Sequence, residues 1–192
     1  MEEIITSILR KTRQEHSLEE RLIDLNAVLT EGLKFLEANP FFKHQVTRRV
    51  ELDDSIPPIK GLYSDFSQSF SNVIKNALDA MRDSATKSLT IRTWHDATDL
   101  YVSVGDTGRG VDPSMAMGLF QPFQSTKSFE ANEATGQPSG TGLGLFMVSA
   151  LLKRYEARFS KRALPKRGHR SPSACRRTRT LRQGFTSVLE IP

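Results

Sequence analysis

Three polar residues recur at a telling interval in SDFSQSFSNVIKNALDAMR, residues 64–82. Wound as a helix, the segment brings Asn72, Asn76 and Asp79 into one narrow stripe. Phe66, Phe70, Val73, Ile74, Ala77, Leu78 and Met81 then fall on the opposite face. A solvated polar face has this pattern. Yet asparagine is a poor helix former, and two of them one turn apart are a local cost of the kind that marks function. The amide oxygen of Asn is a hard ligand, suited to Mg²⁺ beside a polyphosphate. On this segment alone both readings stand.

Further chemistry follows downstream. In VGDTGRGV, Asp106 sits at the mouth of a strand, with Gly108 and Gly110 after it. Aspartate there is a turn residue by default, and it is also the right acceptor for an exocyclic amine. In GLFQPFQSTKS, Phe120 and Phe123 flank Pro122 as anchors of a loop, and Thr126 and Lys127 follow. A lysine on such a loop either reaches a phosphate or lies on the surface. In SGTGLGLFMVSALLKRY, residues 139–155, Gly140, Gly142 and Gly144 alternate with Thr141 and Leu143 directly before an apolar-periodic helix. Glycine costs conformational entropy, so the cluster calls for a tight turn or for backbone close to a ligand, such as a phosphate at a helix N-terminus.

The elements that must position these residues are legible in outline. Residues 3–15 and 17–23 are amphipathic and read as a helix or helix pair outside the main domain. Asp24 can cap a helix over 25–38, with Leu25, Val28, Leu29, Leu33 and Leu36 at helical spacing. HQVTRRVELDD alternates as a strand, and SIPPIKGLYSD holds a turn and a short extended piece. Ser64 or Asp65 then opens the long helix to about Arg82. SLTIRTW and DLYVSVGDTG form a hairpin around HDATD. A short helix over 114–119, a long loop over 121–142, a helix over 143–156 and a closing strand GFTSVLEIP complete the reading. Loops of that length in compact domains are usually functional or disordered.

Composition bounds the class. The 192 residues are 38% hydrophobic and 26% charged, which indicates a soluble globular protein. No apolar run approaches the roughly 18 residues of a membrane span, and the acidic N-terminus is no signal peptide, so a cytoplasmic location is expected. A single Cys175 excludes an internal disulfide and a cysteine-built zinc site. Residues 161–182 hold nine of the 27 Lys and Arg and no acid, leaving 18 bases against 22 acids elsewhere. That segment reads first as a solvated loop and second as a binder of nucleic acid or anionic lipid, and it has no interleaved aromatic to favour nucleic acid. Its bias also differs from its flanks as a local frameshift would make it.

Taken in order, N-x-x-x-N-A-x-D-A (72–80), D-x-G-x-G (106–110), F-x-P-F with T-K (120–127) and G-x-G-x-G-L (140–145) resemble the N, G1, F and G2 boxes of the ATP-binding domain of sensor histidine kinases. That domain belongs to the Bergerat-fold group shared with gyrase, heat-shock chaperone ATPases and mismatch-repair ATPases. NVIKNALDAM and QPFQSTK look most like the nitrogen-regulation type. The resemblance runs from about Asp24 to Tyr155 and resumes at QGFTSVLEIP.

It implies an α/β sandwich, with a mixed sheet of about five strands and three main helices on one face. It divides the chain into an N-terminal helical segment 1–23, read as the end of a dimerisation helix, and an ATP-binding domain 24–192 that carries the basic segment 161–182. It implies ATP and Mg²⁺ as cofactors. Asn76 matches the magnesium asparagine, with Asn72 assisting near the phosphates, and Asp79 of the same box is counted among the cofactor-binding residues. Asp106 matches the acceptor of the adenine amino group, and Gly108 and Gly110 let the chain pass the base. Phe120, Thr126 and Lys127 match lid residues, Lys127 approaching the terminal phosphates. Gly140, Thr141, Gly142, Leu143 and Gly144 match the lid hinge facing phosphate, and Thr186 matches a threonine beside the adenine aspartate.

Hydrolase branches of the group place a glutamate one turn before the magnesium asparagine to activate water. Here that position is Asn72, which favours a protein histidine kinase donating the γ-phosphate to a histidine. No such histidine is evident: His16 lacks the family's following proline, and His44, His95 and His169 lie in or beyond the ATP-binding region. The implied partners are a histidine-bearing dimerisation domain, from a missing upstream part or another chain, and a response regulator. A homodimer is also implied, without nucleic acid and without a membrane segment in this chain. The other reading is a truncated, non-catalytic nucleotide-binding regulatory module. After Tyr155 the usual glycine-rich turn and strand are expected to be replaced by EARFSKRALPKRGHRSP.

Overall fold

The computed structural model describes residues 19–110, 143–161 and 185–191. Among them, alternating strands and amphipathic helices build a five-stranded sheet with helices on one of its faces, and a separate two-stranded ribbon. In chain order the elements are β1 (Arg21–Ile23), α1 (Leu25–Leu36), α2 (Pro40–Gln45), β2 (Thr47–Glu51), β3 (Ile59–Gly61) and α3 (Tyr63–Met81). They continue with β4 (Ser88–His95), β5 (Leu100–Asp106), α4 (Gly144–Leu152), a 3₁₀ turn (Lys153–Tyr155), β6 (Arg158–Lys161) and β7 (Phe185–Ile191). The main sheet runs β2-β4-β5-β7-β6, and β1 and β3 form a separate ribbon. β2 lies parallel to β4, and the other pairs are antiparallel, so the sheet is mixed.

The period of two decides which residues face the helices. Leu89 and Ile91 of β4, Leu100, Val102 and Val104 of β5, and Leu189 and Ile191 of β7 join one core with Leu25, Val28 and Leu29 of α1, Phe66, Phe70 and Ile74 of α3, and Val148 and Leu152 of α4. Each fully buried Leu, Ile or Phe there contributes about 1.5–3 kcal/mol. On the far face, Trp94 stacks on Tyr101 with centroids 5.1 Å apart.

Local caps explain several boundaries. Asp24 caps α1, its Oδ1 accepting from the N–H of Asn26 at 2.8 Å and of Ala27 at 3.1 Å. Asn39 caps α2 in the same way, with Pro40 at the first helical position. The long helix α3 differs from expectation. It starts at Tyr63, behind Leu62, rather than at Ser64 or Asp65. The Leu62 N–H is satisfied from outside the helix, by the Tyr155 hydroxyl at 2.9 Å.

Two further expectations are corrected. Residues 17–23 were expected to be helical, yet Arg21–Ile23 is a strand, because pairing with Ile59–Gly61 satisfies its backbone and Ile23 enters the core. The turn and strand expected to be lost after Tyr155 are present. Glu156 takes the left-handed conformation, φ 54°, that glycine usually supplies at a helix end, and β6 follows, paired with β7.

Candidate functional site

The helix α3 is not polar along the whole side opposite its apolar face. A second flank is packed against α4, and Asn72, Asn76 and Asp79 are half-buried rather than solvated. Gly144, the first residue of α4, lies over Asn76: a Cβ added there would stand 3.5 Å from Asn76 Nδ2 and 3.9 Å from its Oδ1. Leu143 at the N-cap offers no side-chain cap, and the first intrahelical bond shown runs from Met147 N–H to the Leu143 carbonyl at 2.8 Å. The first turn of a helix holds N–H groups with no acceptor inside it, and the helix dipole adds partial positive charge. Among the described residues, the amides of Asn72 and Asn76 have no hydrogen bond. The half-buried, unspent amide of Asn76 thus lies under a helix N-terminus, with that of Asn72 one turn before it on α3.

One turn further along α3, Ala80 supports the second half of the site. Gly108 packs so closely on it that a Cβ would meet Ala80 Cβ at 2.6 Å and its carbonyl oxygen at 2.7 Å. Arg109 N–H donates to that same carbonyl at 3.3 Å. The turn after β5 is thereby fixed on the helix that carries Asn76. Thr107 pins it from the other side, donating to the Thr86 carbonyl at 2.6 Å and accepting from Ser88 N–H at 2.9 Å. Gly110, at φ 74°, has a backbone that side chains rarely tolerate.

Asp106 ends β5 on the helix-facing side of the sheet, 8% exposed. Its Oδ1 accepts from Gly108 N–H at 2.7 Å. Burial pushes its pKa up to about 6, with the Gly108 bond acting the other way. Among the described residues this is the one hydrogen bond that its carboxylate makes, so the second oxygen remains for a donor. Asp79 instead pairs with Arg82, 3.5 Å away. Thr186 on β7 stands opposite Gly105, one register step from Asp106, whose own partner is Phe185.

Of the residues singled out from sequence, the fold therefore brings Asn72, Asn76, Asp79, Asp106, Gly108, Leu143 and Gly144 to the α3 side of the sheet, while Gly110 follows the turn held on Ala80 and Thr186 lies on the neighbouring strand β7. Phe120, Phe123, Thr126, Lys127, Gly140, Thr141 and Gly142 lie outside the described residues, as do the expected 114–119 helix, the 121–142 loop, and His16 and His169. Sequence reasoning missed Thr107 and the supporting role of Ala80. The signal for Ala80 was its smallness in the same motif as Asn76. For Thr107 nothing local marked its bond to Thr86, 21 residues back.

Residues 61–191 match the family described as Histidine kinase-, DNA gyrase B-, and HSP90-like ATPase. The chain belongs to this family. It is 36% identical over 121 residues to the phosphate regulon sensor protein PhoR of Pseudomonas aeruginosa, an alignment covering 62% of this chain and 26% of that one. It is 30% identical over 130 residues to the sensory histidine kinase/phosphatase NtrB of Rhodobacter capsulatus, covering 61% and 33%. The chain thus spans about a quarter to a third of the length of these curated relatives. Among solved structures, the catalytic domain of histidine kinase ThkA superposes with a TM-score of 0.68 at 19% identity, over 91% of this chain and 96% of that one. This ATPase-family chain is homologous to sensor histidine kinase catalytic domains, and its mixed five-stranded sheet with its helical layer shares the fold of the ThkA catalytic domain.

Proposed function

We propose that the chain binds ATP with Mg²⁺ and donates the γ-phosphate to a histidine, as the catalytic part of a two-component sensor kinase. One observation carries the reading. A buried carboxylate with one oxygen spent on Gly108 and pushed to about 6, Asp106, is fixed through Ala80 to the helix whose unspent Asn76 amide lies under the start of α4. The carboxylate suits the adenine amino group, and the amide with the helix N-terminus suits magnesium and phosphates. The donor set agrees with magnesium's habit of keeping several waters and binding few protein oxygens, here that of Asn76. Bound there, the metal would neutralise phosphate charge. Asn72 would steady the phosphates, and as an amide it cannot serve as the base that activates water.

Asp79, Gly110, Leu143 and Thr186 belong to the same proposed pocket, with Phe120, Thr126, Lys127, Gly140, Thr141 and Gly142 as its proposed lid. The domain division 1–23 and 24–192 is likewise proposed, and the pairing of Arg21–Ile23 with β3 is a reason to count that strand with the ATP-binding unit. The acceptor histidine belongs, on this reading, to a dimerisation region upstream or on another chain. A response regulator then receives the phosphoryl group in the cytoplasm. Among the described residues no helix is long and apolar enough to cross a membrane. The nitrogen-regulation type is the proposed subgroup, on the forms NVIKNALDAM and QPFQSTK and the similarity to NtrB.

The test is a titration of the chain with a non-hydrolysable ATP analogue, with and without Mg²⁺, beside Asp106→Asn. Mg²⁺-enhanced binding that the substitution removes supports the reading. A folded chain that binds no analogue refutes it.

A further inference from the structure

At the end of α4 remote from Asn76 lies a cluster that the proposed chemistry does not use. Asp65, 6% exposed in the first turn of α3, accepts from the Tyr155 hydroxyl at 2.8 Å. That hydroxyl accepts in turn from Leu62 N–H at 2.9 Å, and the Tyr155 ring packs on Phe66 with centroids 4.7 Å apart. Arg154 stands with Nη1 3.5 Å from Asp65 and Nη2 3.5 Å from Glu20. Glu20 also lies 3.7 Å from Lys60. A second contact converges on the same tyrosine: a Cβ on Gly61 would fall 2.6 Å from its ring, and Gly61 pairs with Arg21, the residue after Glu20.

The geometry matters because α3 and α4 run antiparallel. Gly144 meets Asn76 at one end, and Tyr155 meets Asp65 at the other. The two ends are about 16 Å apart at helical rise. If the second end slides, Leu62 N–H loses its acceptor and the buried Asp65 carboxylate loses both the Tyr155 hydroxyl and Arg154, and leaving a buried charge unpaired is strongly unfavourable. The seat at Tyr155 therefore sets where Gly144 stands over Asn76.

We infer that Tyr155 and Asp65 are positioning residues for the nucleotide site, and that through Glu20 and Gly61 their seat couples that site to the chain entering at residue 20. The inference rests on the ATP reading for its functional half. Its structural half, the coupling of residue 20 to α4, stands by itself.

The experiment measures two quantities on the full chain: amide hydrogen exchange along residues 144–152, and the Kd for an ATP analogue with Mg²⁺. Tyr155→Phe removes only the hydroxyl. It is expected to speed exchange at the hydrogen-bonded amides of α4 from Met147 onward and to weaken analogue binding, each about 5-fold or more, the lower end of coupling between sites. Glu20→Gln, at an exposed position, is expected to shift both the same way by about 2-fold, as suits an exposed ion pair. Gly61→Ala should follow Tyr155→Phe. A Tyr155→Phe chain that melts earlier with Kd and α4 exchange unchanged would reduce the cluster to a structural seat. A Glu20→Gln chain identical to the parent in both readouts would overturn the coupling to residue 20, and this arm decides the matter even where Tyr155→Phe does not fold. If the parent chain binds no analogue, the ATP reading fails, while the exchange readout still tests the coupling.

Discussion

Gly108 lies against Ala80 so closely that a Cβ on Gly108 would stand 2.6 Å from that of Ala80. The obstacle is partly helix backbone, which cannot swing away as a flexible side chain would. Gly108→Ala is therefore expected to destabilise the chain by about 1–3 kcal/mol, the usual cost of overpacking. It should also shift the Asp106 carboxylate, because the Gly108 N–H is its donor. Urea unfolding gives the first quantity, and ATP-analogue titration gives the second. A chain as stable and as competent as the parent would mean that the turn and α3 are less tightly apposed.

Asp106 predicts an opposition between stability and binding. Its pKa is pushed up to about 6 from 3.8 by burial. A group whose folded pKa is raised contributes stability fully below its unfolded value, and that contribution is lost as pH rises through the folded value. Between about pH 4 and pH 6 the fold thus loses support from this residue, about 3 kcal/mol in all. Asp106→Asn keeps an oxygen for Gly108 N–H and removes the buried charge. It should raise stability at neutral pH and flatten this part of the pH profile while abolishing analogue binding. Stability measured at pH 4.5 and 7.5 for both chains checks the sign. A larger loss of stability in the variant at pH 7.5 would contradict it.

Much of this arrangement was legible because its signals are local. The 3.6-residue period of Phe66, Phe70, Ile74, Ala77 and Met81 announced α3, and alternation announced the β4–β5 hairpin. Asp24 and the spacing of Leu25, Val28, Leu29 and Leu36 announced α1. What escaped depends on distant partners. The start of α3 is set by a hydroxyl 93 residues on, and β1 exists because β3 pairs with it. The half-burial of Asn76 needs α4 packed on a flank that periodicity alone assigns to solvent. β6 was hidden because a glutamate takes the conformation expected of glycine. By contrast α2 was missed although Asn39 and Pro40 form a local start signal.

Asn76 provides a prediction with a clean control. Among the described residues its amide has no hydrogen bond, so truncation leaves no protein group unpaired. Asn76→Ala should change stability by no more than about 0.5 kcal/mol, as expected where no packed or bonded feature is lost. Its effect should fall on magnesium: the gain in analogue affinity on adding Mg²⁺ should shrink, with metal-free binding nearly unchanged. Calorimetric titration at two Mg²⁺ concentrations separates the cases. An equal loss with and without metal would assign Asn76 to the nucleotide rather than to the ion.

Ser69 tests the opposite situation, a polar group with no function to offset it. Its side chain is fully buried on α3, and among the described residues its Oγ is the buried side-chain atom left without a hydrogen bond. An unpaired buried hydroxyl costs about 1–3 kcal/mol on mutational scales. Removing it with Ser69→Ala also exchanges a weaker helix former for the best one. The variant is expected to be more stable by about 1 kcal/mol, since the small void left behind takes back part of the gain. Denaturant midpoints read this directly, and analogue affinity should stay at the parent value because the fully buried Ser69 side chain presents nothing to a ligand. A destabilised variant would show that the hydroxyl has a partner in solution, for which a buried water is the natural candidate.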